Sequence, residues 1–148
     1  MKYIIEKLES FRSYRQKRIF LQSLGRVERG VGRMCVKIGK DKVLKVAYNV
    51  FGIQQNRKEI STWLDLTKHQ RKYFATIYNY NPNNAWIIQE RLLLPKRSNR
   101  YSLIKNKSYF YEKLCYKYEL NFFEIQNQVG INKKGITKIY DYGYGKYD

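Results

Sequence analysis

The sequence predicts an α+β fold, in which an antiparallel sheet of about five strands with one inserted helix precedes a helical part and a terminal β-hairpin. Three observations lead to this prediction. Short apolar segments bounded by glycine or asparagine turns occupy residues 19–47 and 75–94, as is typical of paired strands. Apolar residues recur at helical spacing between residues 53 and 66. The stretch 98–126 contains neither glycine nor proline, which favours helix.

The N-terminal third is predicted to form an amphipathic helix or arm over residues 1–18, followed by three strands. Four apolar residues at helical spacing indicate the helix: Ile4, Ile5, Leu8 and Phe11. We expect a first strand at 19–24, which runs into a glycine-rich turn. The next two strands, 34–38 and 43–47, are predicted to pair through a hairpin turn at 39–42.

A helix and a second hairpin are predicted next. In the helix 53–66, four apolar residues share one face: Ile53, Ile60, Trp63 and Leu64. The strands 75–80 and 85–92 are joined by an Asn-Pro-Asn-Asn turn.

One long helix is predicted over residues 98–126, before a terminal hairpin with strands at 129–131 and 136–140. Four aromatic or apolar residues recur at four-residue spacing in the helix: Phe110, Leu114, Tyr118 and Phe122. The 148 residues suffice for one core but not for two. We therefore expect one domain over 1–148, divided into an arm (1–20), a sheet-bearing part (21–94) and a helical part (95–148).

Composition limits the cellular setting and the kinds of site. Hydrophobic residues make up 43% of the chain, which argues against disorder, and no apolar run has the length of a membrane span. The N-terminus turns polar too early for a secretory signal. Two cysteines and one histidine are too few for a zinc site and indicate no disulfide framework. We expect a cytoplasmic protein.

The formal net charge of +18 is the strongest compositional feature, and it favours polyanionic partners such as nucleic acid. Two basic groups stand out, the first within twelve residues that contain no acid. They are Lys96, Arg97, Arg100, Lys105 and Lys107, and Arg12, Arg15, Lys17 and Arg18. Neighbouring tyrosines could stack on exposed bases. An A/T-rich genome would also enrich Lys, Asn, Tyr, Ile and Phe, so the charge has an alternative explanation without a binding role.

Several short motifs together resemble a known family. They are the glycine-rich turn 24–33, the strand Val-Leu-Lys-Val-Ala at 43–47, the segment 49–59, an Asn-x-x-Gly segment at 127–130 and a strand that closes on Asp-Tyr-Gly at 141–143. In this order the motifs resemble small phage-encoded proteins with a protein-kinase-like fold. The resemblance covers about residues 21–143. It implies a kinase-like N-lobe followed by a truncated helical C-terminal part with its terminal hairpin.

The resemblance also implies a nucleotide site that could hold ATP and Mg²⁺. Gly30 and Gly32 would cover the phosphates, because a backbone without Cβ can approach anionic oxygens closely. Lys45 would hold the α- and β-phosphates and pair with Glu59 on the helix. The remaining implied residues are Gln89 and Glu90 at an adenine-binding hinge, and Asn127 and Asp141 as ligands of Mg²⁺. For the two glycines taken alone, an ordinary tight turn between strands is the favoured explanation.

One part of the kinase pattern is missing. A kinase catalytic loop places an aspartate base five residues before the metal-binding asparagine, and that position here is Phe122, which cannot accept a proton. Glu124 lies nearby but is shifted by two positions. The chain also ends five residues after Gly143, so we expect no activation segment or substrate-binding lobe.

Three functions follow as hypotheses. The preferred one is a catalytically degenerate kinase-like protein, phage-encoded, whose basic surface engages nucleic acid or a host nucleoprotein and inhibits host machinery or defence. The first alternative is an active minimal kinase that depends on Mg-ATP and uses Lys45, Asn127 and Asp141. The second alternative is a structural or virion-associated protein.

Overall fold

The computed structural model describes residues 1–143, so the last five residues of the predicted domain lie outside the described part. Two helices come first, and three antiparallel strands follow them. These elements are α1 (Lys2–Ser10), α2 (Tyr14–Leu24), β1 (Val27–Arg29), β2 (Arg33–Ile38) and β3 (Lys42–Ala47).

The middle of the chain adds one long helix and two more strands to the sheet. They are α3 (Val50–Asp65), a 3₁₀ turn (Gln70–Tyr73), β4 (Ile77–Tyr80) and β5 (Trp86–Glu90). The C-terminal part consists of short helices, 3₁₀ turns and a hairpin. Its elements are α4 (Arg97–Arg100), 3₁₀ turns (Tyr101–Leu103 and Lys105–Lys107), α5 (Ser108–Lys117), α6 (Phe122–Ile125), β6 (Val129–Ile131) and β7 (Thr137–Ile139).

The sheet has the strand order β1-β2-β3-β5-β4 and is antiparallel throughout, which confirms the predicted mixed α+β class. Because side chains alternate along each strand, the two faces contribute to different cores. Met34, Leu44 and Ile88 pack with Leu8 and Leu21 of the N-terminal helices. The opposite face contributes Ile77 and Ile87 to a second core, together with α3 and the C-terminal part.

The prediction of a first strand at residues 19–24 is wrong, because these residues end α2. The helix begins with a capping box. The Ser13 side chain accepts a hydrogen bond from the backbone N–H of Gln16, and the side-chain oxygen of Gln16 accepts one from the backbone N–H of Ser13. A short apolar run is compatible with a strand and with a helix, and here the capping box favours the helix. The predicted single arm is therefore two helices, and the first strand begins at Val27.

The prediction of one long helix over 98–126 is also wrong. Short turns occupy residues 97–107, and α5 ends at Lys117. Glu119 adopts a φ of 54°, which a continuous right-handed helix does not permit. Asn121 then caps α6 by accepting from the backbone N–H groups of Phe123 and Glu124.

The helix predicted at 53–66 is confirmed, but its buried face agrees only in part with the predicted one, because Ile60 and Trp63 pack in the second core whereas Ile53 and Leu64 do not. Ile53 and Leu64 are 41% and 54% exposed, whereas Asn56 and Glu59 are fully buried. The face toward the sheet is selected by the partners of these polar side chains rather than by apolar spacing. Asn56 and Glu59 therefore lie between α3 and the sheet, where they take part in the candidate functional site.

The terminal hairpin is confirmed, with β6 and β7 paired as expected. The backbone N–H of Ala75 donates to the carbonyl of Ile139, and Leu93 exchanges backbone hydrogen bonds with Ile131. The hairpin is thereby fastened beside the sheet, and the segment after it reaches α3. Within residues 1–143 the helices are too short or too polar to cross a bilayer.

Candidate functional site

The predicted pair between Lys45 and Glu59 is present and buried. Lys45 lies on β3 and faces α3, so its ammonium group reaches the carboxylate of Glu59 across the sheet–helix interface. Nζ lies 3.0 Å from both carboxylate oxygens, and it also donates to the carbonyl of Tyr140 at 2.9 Å. Lys45 is 4% exposed and Glu59 is fully buried.

A second cation, Arg33, binds the same carboxylate. Nη1 of Arg33 lies 2.6 Å from Oε1 of Glu59 and 3.2 Å from Oδ1 of Asn56. The register Cys35↔Lys45 and the two-residue alternation of β2 place Arg33 on the same sheet face as Lys45. Arg33 is 5% exposed, so its charge has to be balanced inside the protein.

Asp141 supplies the second negative charge. Its Oδ1 pairs with Nη2 of Arg33 and lies 3.8 Å from Nζ of Lys45. Gly143 makes this approach possible, because a Cβ there would lie 2.8 Å from the carbonyl oxygen of Gln55 on α3. Two cations and two carboxylates therefore form one closed ion-pair network that consists of Arg33, Lys45, Glu59 and Asp141.

Burial and pairing act in opposite directions on the pKa values of this network. Burial raises the pKa of Glu59 above its ordinary value, and the nearby charges of Arg33 and Lys45 reduce this increase. Burial would also raise the pKa of Asp141, but Arg33 and Lys45 outweigh it and hold that pKa well below the ordinary value. Burial would lower the pKa of Arg33, but Glu59 and Asp141 raise it overall. Arg33 and Lys45 therefore favour the charged form of both carboxylates against the effect of burial.

Two amides complete the surroundings of Glu59. Nε2 of Gln89 donates to Oε2 of Glu59 at 3.1 Å. Asn56 accepts from Arg33, and its Nδ2 donates to the carbonyl of Asn84 at 2.7 Å. Glu59 thus receives hydrogen bonds from three side chains that belong to three different strands.

The glycines predicted to cover phosphates lie in the hairpin loop between β1 and β2. The carbonyl of Gly32 accepts from the backbone N–H of Tyr48 at 3.0 Å, and the hydroxyl of Tyr48 lies 2.6 Å from the carbonyl oxygens of Gly30 and Val31. A Cβ at Gly32 would lie 2.8 Å from Cα of Gly52, the third residue of α3. The close approach that explains Gly32 is therefore a contact between the loop and α3.

Gln89 and Glu90, the predicted hinge residues, lie at the end of β5. The backbone N–H of Glu90 already donates to the carbonyl of Thr76. The Glu90 carboxylate lies 2.7 Å from Nζ of Lys138 and also accepts from Thr76 and Asn132. Both side chains therefore make contacts inside the protein, Gln89 to Glu59 and Glu90 to the terminal hairpin.

The residues predicted to bind Mg²⁺ do not fit that ion in this arrangement. One oxygen of Asp141 is bound by the guanidinium group of Arg33, and Lys45 lies close to it. A divalent cation would have to displace Arg33 and leave it buried without that partner. Nδ2 of Asn127 faces the carbonyl of Phe123 at 3.5 Å. Within residues 1–143, no group of three or more His, Cys, Asp or Glu side chains could hold a metal ion.

Phe122 begins α6 and packs against the second core. The segment that would form a catalytic loop is thus a helical turn, in which Glu124 is exposed.

The basic residues predicted to bind a partner lie mainly on the surface. Lys96, Arg97, Lys105 and Lys107 are exposed, and so are Arg12, Arg15 and Arg18, while Lys17 is half-buried. Arg100 differs from the others, because it donates to the carbonyls of Pro95 and Asn127 and to the hydroxyl of Tyr140. We therefore infer that Arg100 stabilises the fold. Residues 96–107 are called the basic segment.

Arg33 and Asn56 are the site residues that were not predicted from the sequence. Arg33 lies inside the predicted glycine-rich turn, where an arginine is expected on the surface. The alternation of β2 and its register with β3 would have placed it beside Lys45, but the register is a property of the paired strands.

No protein-family model matches the chain, and none of the curated proteins is significantly similar to it. Among solved structures, the bifunctional kinase-methyltransferase WbdD is similar, with 15% sequence identity over 76% of this chain and a TM-score of 0.41. The similar region takes in 29% of the WbdD chain, which is less than a third of its length. A score this low does not establish a common fold.

Proposed function

We propose that the chain is a catalytically degenerate, kinase-like protein that binds nucleic acid, either free or in a host nucleoprotein, through its basic surface. The observation that carries the proposal is the basic segment. Lys96, Arg97, Lys105 and Lys107 are exposed and form no ion pair with any carboxylate of residues 1–143. No acid occurs from Arg91 to Tyr111. Such a surface attracts phosphates, because binding releases condensed counterions.

The ion-pair network supports the absence of catalysis. A kinase leaves its metal-binding aspartate open to Mg²⁺ and its lysine open to phosphates. Here an oxygen of Asp141 is already bound by Arg33, and Lys45 also lies close to it. The residue at the position of the catalytic base, Phe122, is part of the packing instead. The kinase-like framework then serves as a scaffold.

The finer parts of the proposal rest on the motif resemblance. It supports a phage-encoded factor that acts in the host cytoplasm against host machinery or defence. A nucleic acid or a nucleoprotein complex of the host would be its target.

The proposal is tested by fluorescence anisotropy with labelled single-stranded and duplex oligonucleotides. The test variant carries Lys96→Glu, Arg97→Glu and Lys105→Glu, and leaves Arg100 unchanged because of its internal hydrogen bonds. The control carries Arg26→Glu, Lys37→Glu and Lys40→Glu, three exposed residues elsewhere on the surface, and has the same net charge. We expect the test variant to bind much more weakly than the control. Equal loss in both would contradict a role for the basic segment, and no binding by the native chain would overturn the proposal.

The alternative of an active minimal kinase is favoured by one observation, the intact pair of Lys45 and Glu59. A ligand that binds only the folded state raises the unfolding temperature, and the increase grows with the logarithm of ligand concentration above the Kd. We expect Mg-ATP to leave the unfolding temperature of the native chain unchanged. An increase that disappears in Asp141→Asn would support the kinase instead.

A further inference from the structure

A surface cleft of about 380 Å³ lies apart from the ion-pair network. It is enclosed by the 3₁₀ turn 70–73, by the turns that precede α5, and by the turn between β6 and β7. Its walls include Tyr73, Ser102, Asn106, Lys107, Tyr111 and Thr137. Its volume is within the range of small-ligand pockets, roughly 300–1,000 Å³.

Two residues that line the cleft, Tyr73 and Tyr111, belong to a group of packed aromatic rings. The centre of the Tyr73 ring lies 4.6 Å from that of Phe110, 5.9 Å from that of Tyr111 and 6.0 Å from that of His69. Tyr73 is only half-buried, so these neighbours hold it in place while part of it faces the cleft. An aromatic ring fixed in this way is a stacking surface for a planar ligand.

The polar groups of the cleft suit a base and a phosphate. The side chains of Asn106 and Lys107 are exposed, and neither makes a hydrogen bond or ion pair within the described part of the chain. An amide offers a donor and an acceptor to the edge of a base, and an ammonium group offers its charge to a phosphate. The nearest acid along this segment is Glu112, which follows Tyr111 on α5.

The charge around the cleft is also positive. Lys72 is exposed, and its Nζ lies over the Tyr73 ring, 5.0 Å from the ring centre. A base that stacks on that face displaces this side chain. Lys105 is exposed in the basic segment, and Lys134 is exposed in the turn between β6 and β7. The cleft therefore combines a stacking ring, a free amide and several cations in a space of nucleotide size.

We propose that this cleft receives one unpaired nucleotide of a single-stranded nucleic acid. The base stacks on Tyr73, its edge pairs with Asn106, and its phosphate lies against Lys107. Bases in a duplex are stacked and paired inside the helix and cannot enter a concave cleft, so the cleft selects single strands. This inference rests on the proposed function and specifies which form of nucleic acid the surface recognises.

The inference is tested with matched variants. For each variant, the affinity for a single strand is compared with the affinity for a duplex of the same sequence. Lys107→Gln and Lys96→Gln remove one charge each from the basic segment, but only Lys107 lines the cleft. Asn106→Ala and Asn99→Ala remove one exposed amide each, and only Asn106 lines the cleft. We expect Lys107→Gln and Asn106→Ala to reduce the preference for single strands and their controls to leave it unchanged.

A spectroscopic measurement examines the stacking itself. A single strand that carries 2-aminopurine should lose fluorescence on binding the native chain. Tyr73→Leu keeps apolar bulk and removes the ring, so it should abolish this quenching and weaken single-strand binding by roughly tenfold, the usual size of one base–aromatic stack. Circular dichroism verifies that the variant is folded, and Asn106→Ala provides a second, exposed position if it is not.

The outcomes separate this inference from the proposed function. No salt-dependent binding of any nucleic acid would overturn both. Binding in which duplex and single strand are equal, or in which cleft variants match their controls, would overturn only the cleft assignment. If a free nucleoside monophosphate displaces the single strand at a concentration similar to that at which the strand itself binds, the single-strand assignment is overturned and the cleft is a mononucleotide site.

Discussion

Arg33 and Asp141 lie 108 positions apart in the sequence and form a direct ion pair. The pair joins β2 to the segment that follows the terminal hairpin, and Glu59 on α3 shares the same guanidinium group. Three distant parts of the chain are thus held together by one buried charge. The same contact occupies an oxygen of Asp141, one of the two residues predicted to bind Mg²⁺.

Removing Arg33 should destabilise the protein strongly. Arg33→Met leaves Glu59 and Asp141 with one cation, and breaking a buried ion pair by removal of one partner costs about 3–5 kcal/mol. Arg33→Lys keeps the charge but not the two-pronged geometry, so an intermediate loss is expected. Urea unfolding measures both changes.

The control for this prediction is Arg26→Met, an exposed arginine in the turn before β1. Its effect should be within about 0.5 kcal/mol. Equal unfolding midpoints for Arg33→Met and Arg26→Met would contradict the role assigned to the network.

The pair of Lys45 and Glu59 was predicted through the motif resemblance, in which the lysine of the Val-Leu-Lys-Val-Ala strand pairs with a glutamate of the following helix. An alternating strand points one lysine toward a face, and a helix of sixteen residues directly follows that strand. Arg33 was not predicted because its orientation depends on strand register, which no local pattern shows. The same limit explains the N-terminal error, where an apolar run fits both helix and strand and only the Ser13–Gln16 box distinguishes them.

The two glycines of the β1–β2 loop should differ sharply in their tolerance of a methyl group. At Gly32 a Cβ would overlap the backbone of Gly52, so Gly32→Ala should cost about 1–3 kcal/mol, as overpacking typically does. At Gly30 the nearest atom to a Cβ is 3.7 Å away, which is ordinary contact. Gly30→Ala should therefore leave the unfolding midpoint almost unchanged. Equal effects in thermal unfolding would refute the loop–helix contact as the reason for Gly32.

Glu90 should determine part of the acid stability of the terminal hairpin. Burial would raise its pKa, but hydrogen bonds from Lys138, Thr76 and Asn132 lower it below the ordinary value of 4.5. A carboxyl group with a lowered pKa contributes stability that is fully present above its unfolded pKa and lost as pH falls through its folded pKa. Glu90→Gln should therefore cost about 1.5–3 kcal/mol at neutral pH, as expected for hydrogen bonds to a charged group. Its stability should also decline less than that of the native chain below pH 4.5.

Asp41→Asn is the matched control. Asp41 also forms an ion pair with the terminal hairpin, through Lys133, but this pair is exposed on the surface. This change should have little effect on stability. If the stability of Glu90→Gln falls as steeply in acid as that of the native chain, the ion pair between Glu90 and Lys138 does not cause the loss of stability at low pH.

The salt dependence of nucleic-acid affinity tests the central claim most directly. Affinity of the native chain for a labelled single strand is measured over a series of salt concentrations. We predict a steep linear fall of log affinity with log salt, and a slope that decreases in magnitude by about one when Lys107 is replaced by Gln. An affinity that does not change with salt, or a slope that Lys107→Gln leaves unaltered while the native chain binds, would contradict it.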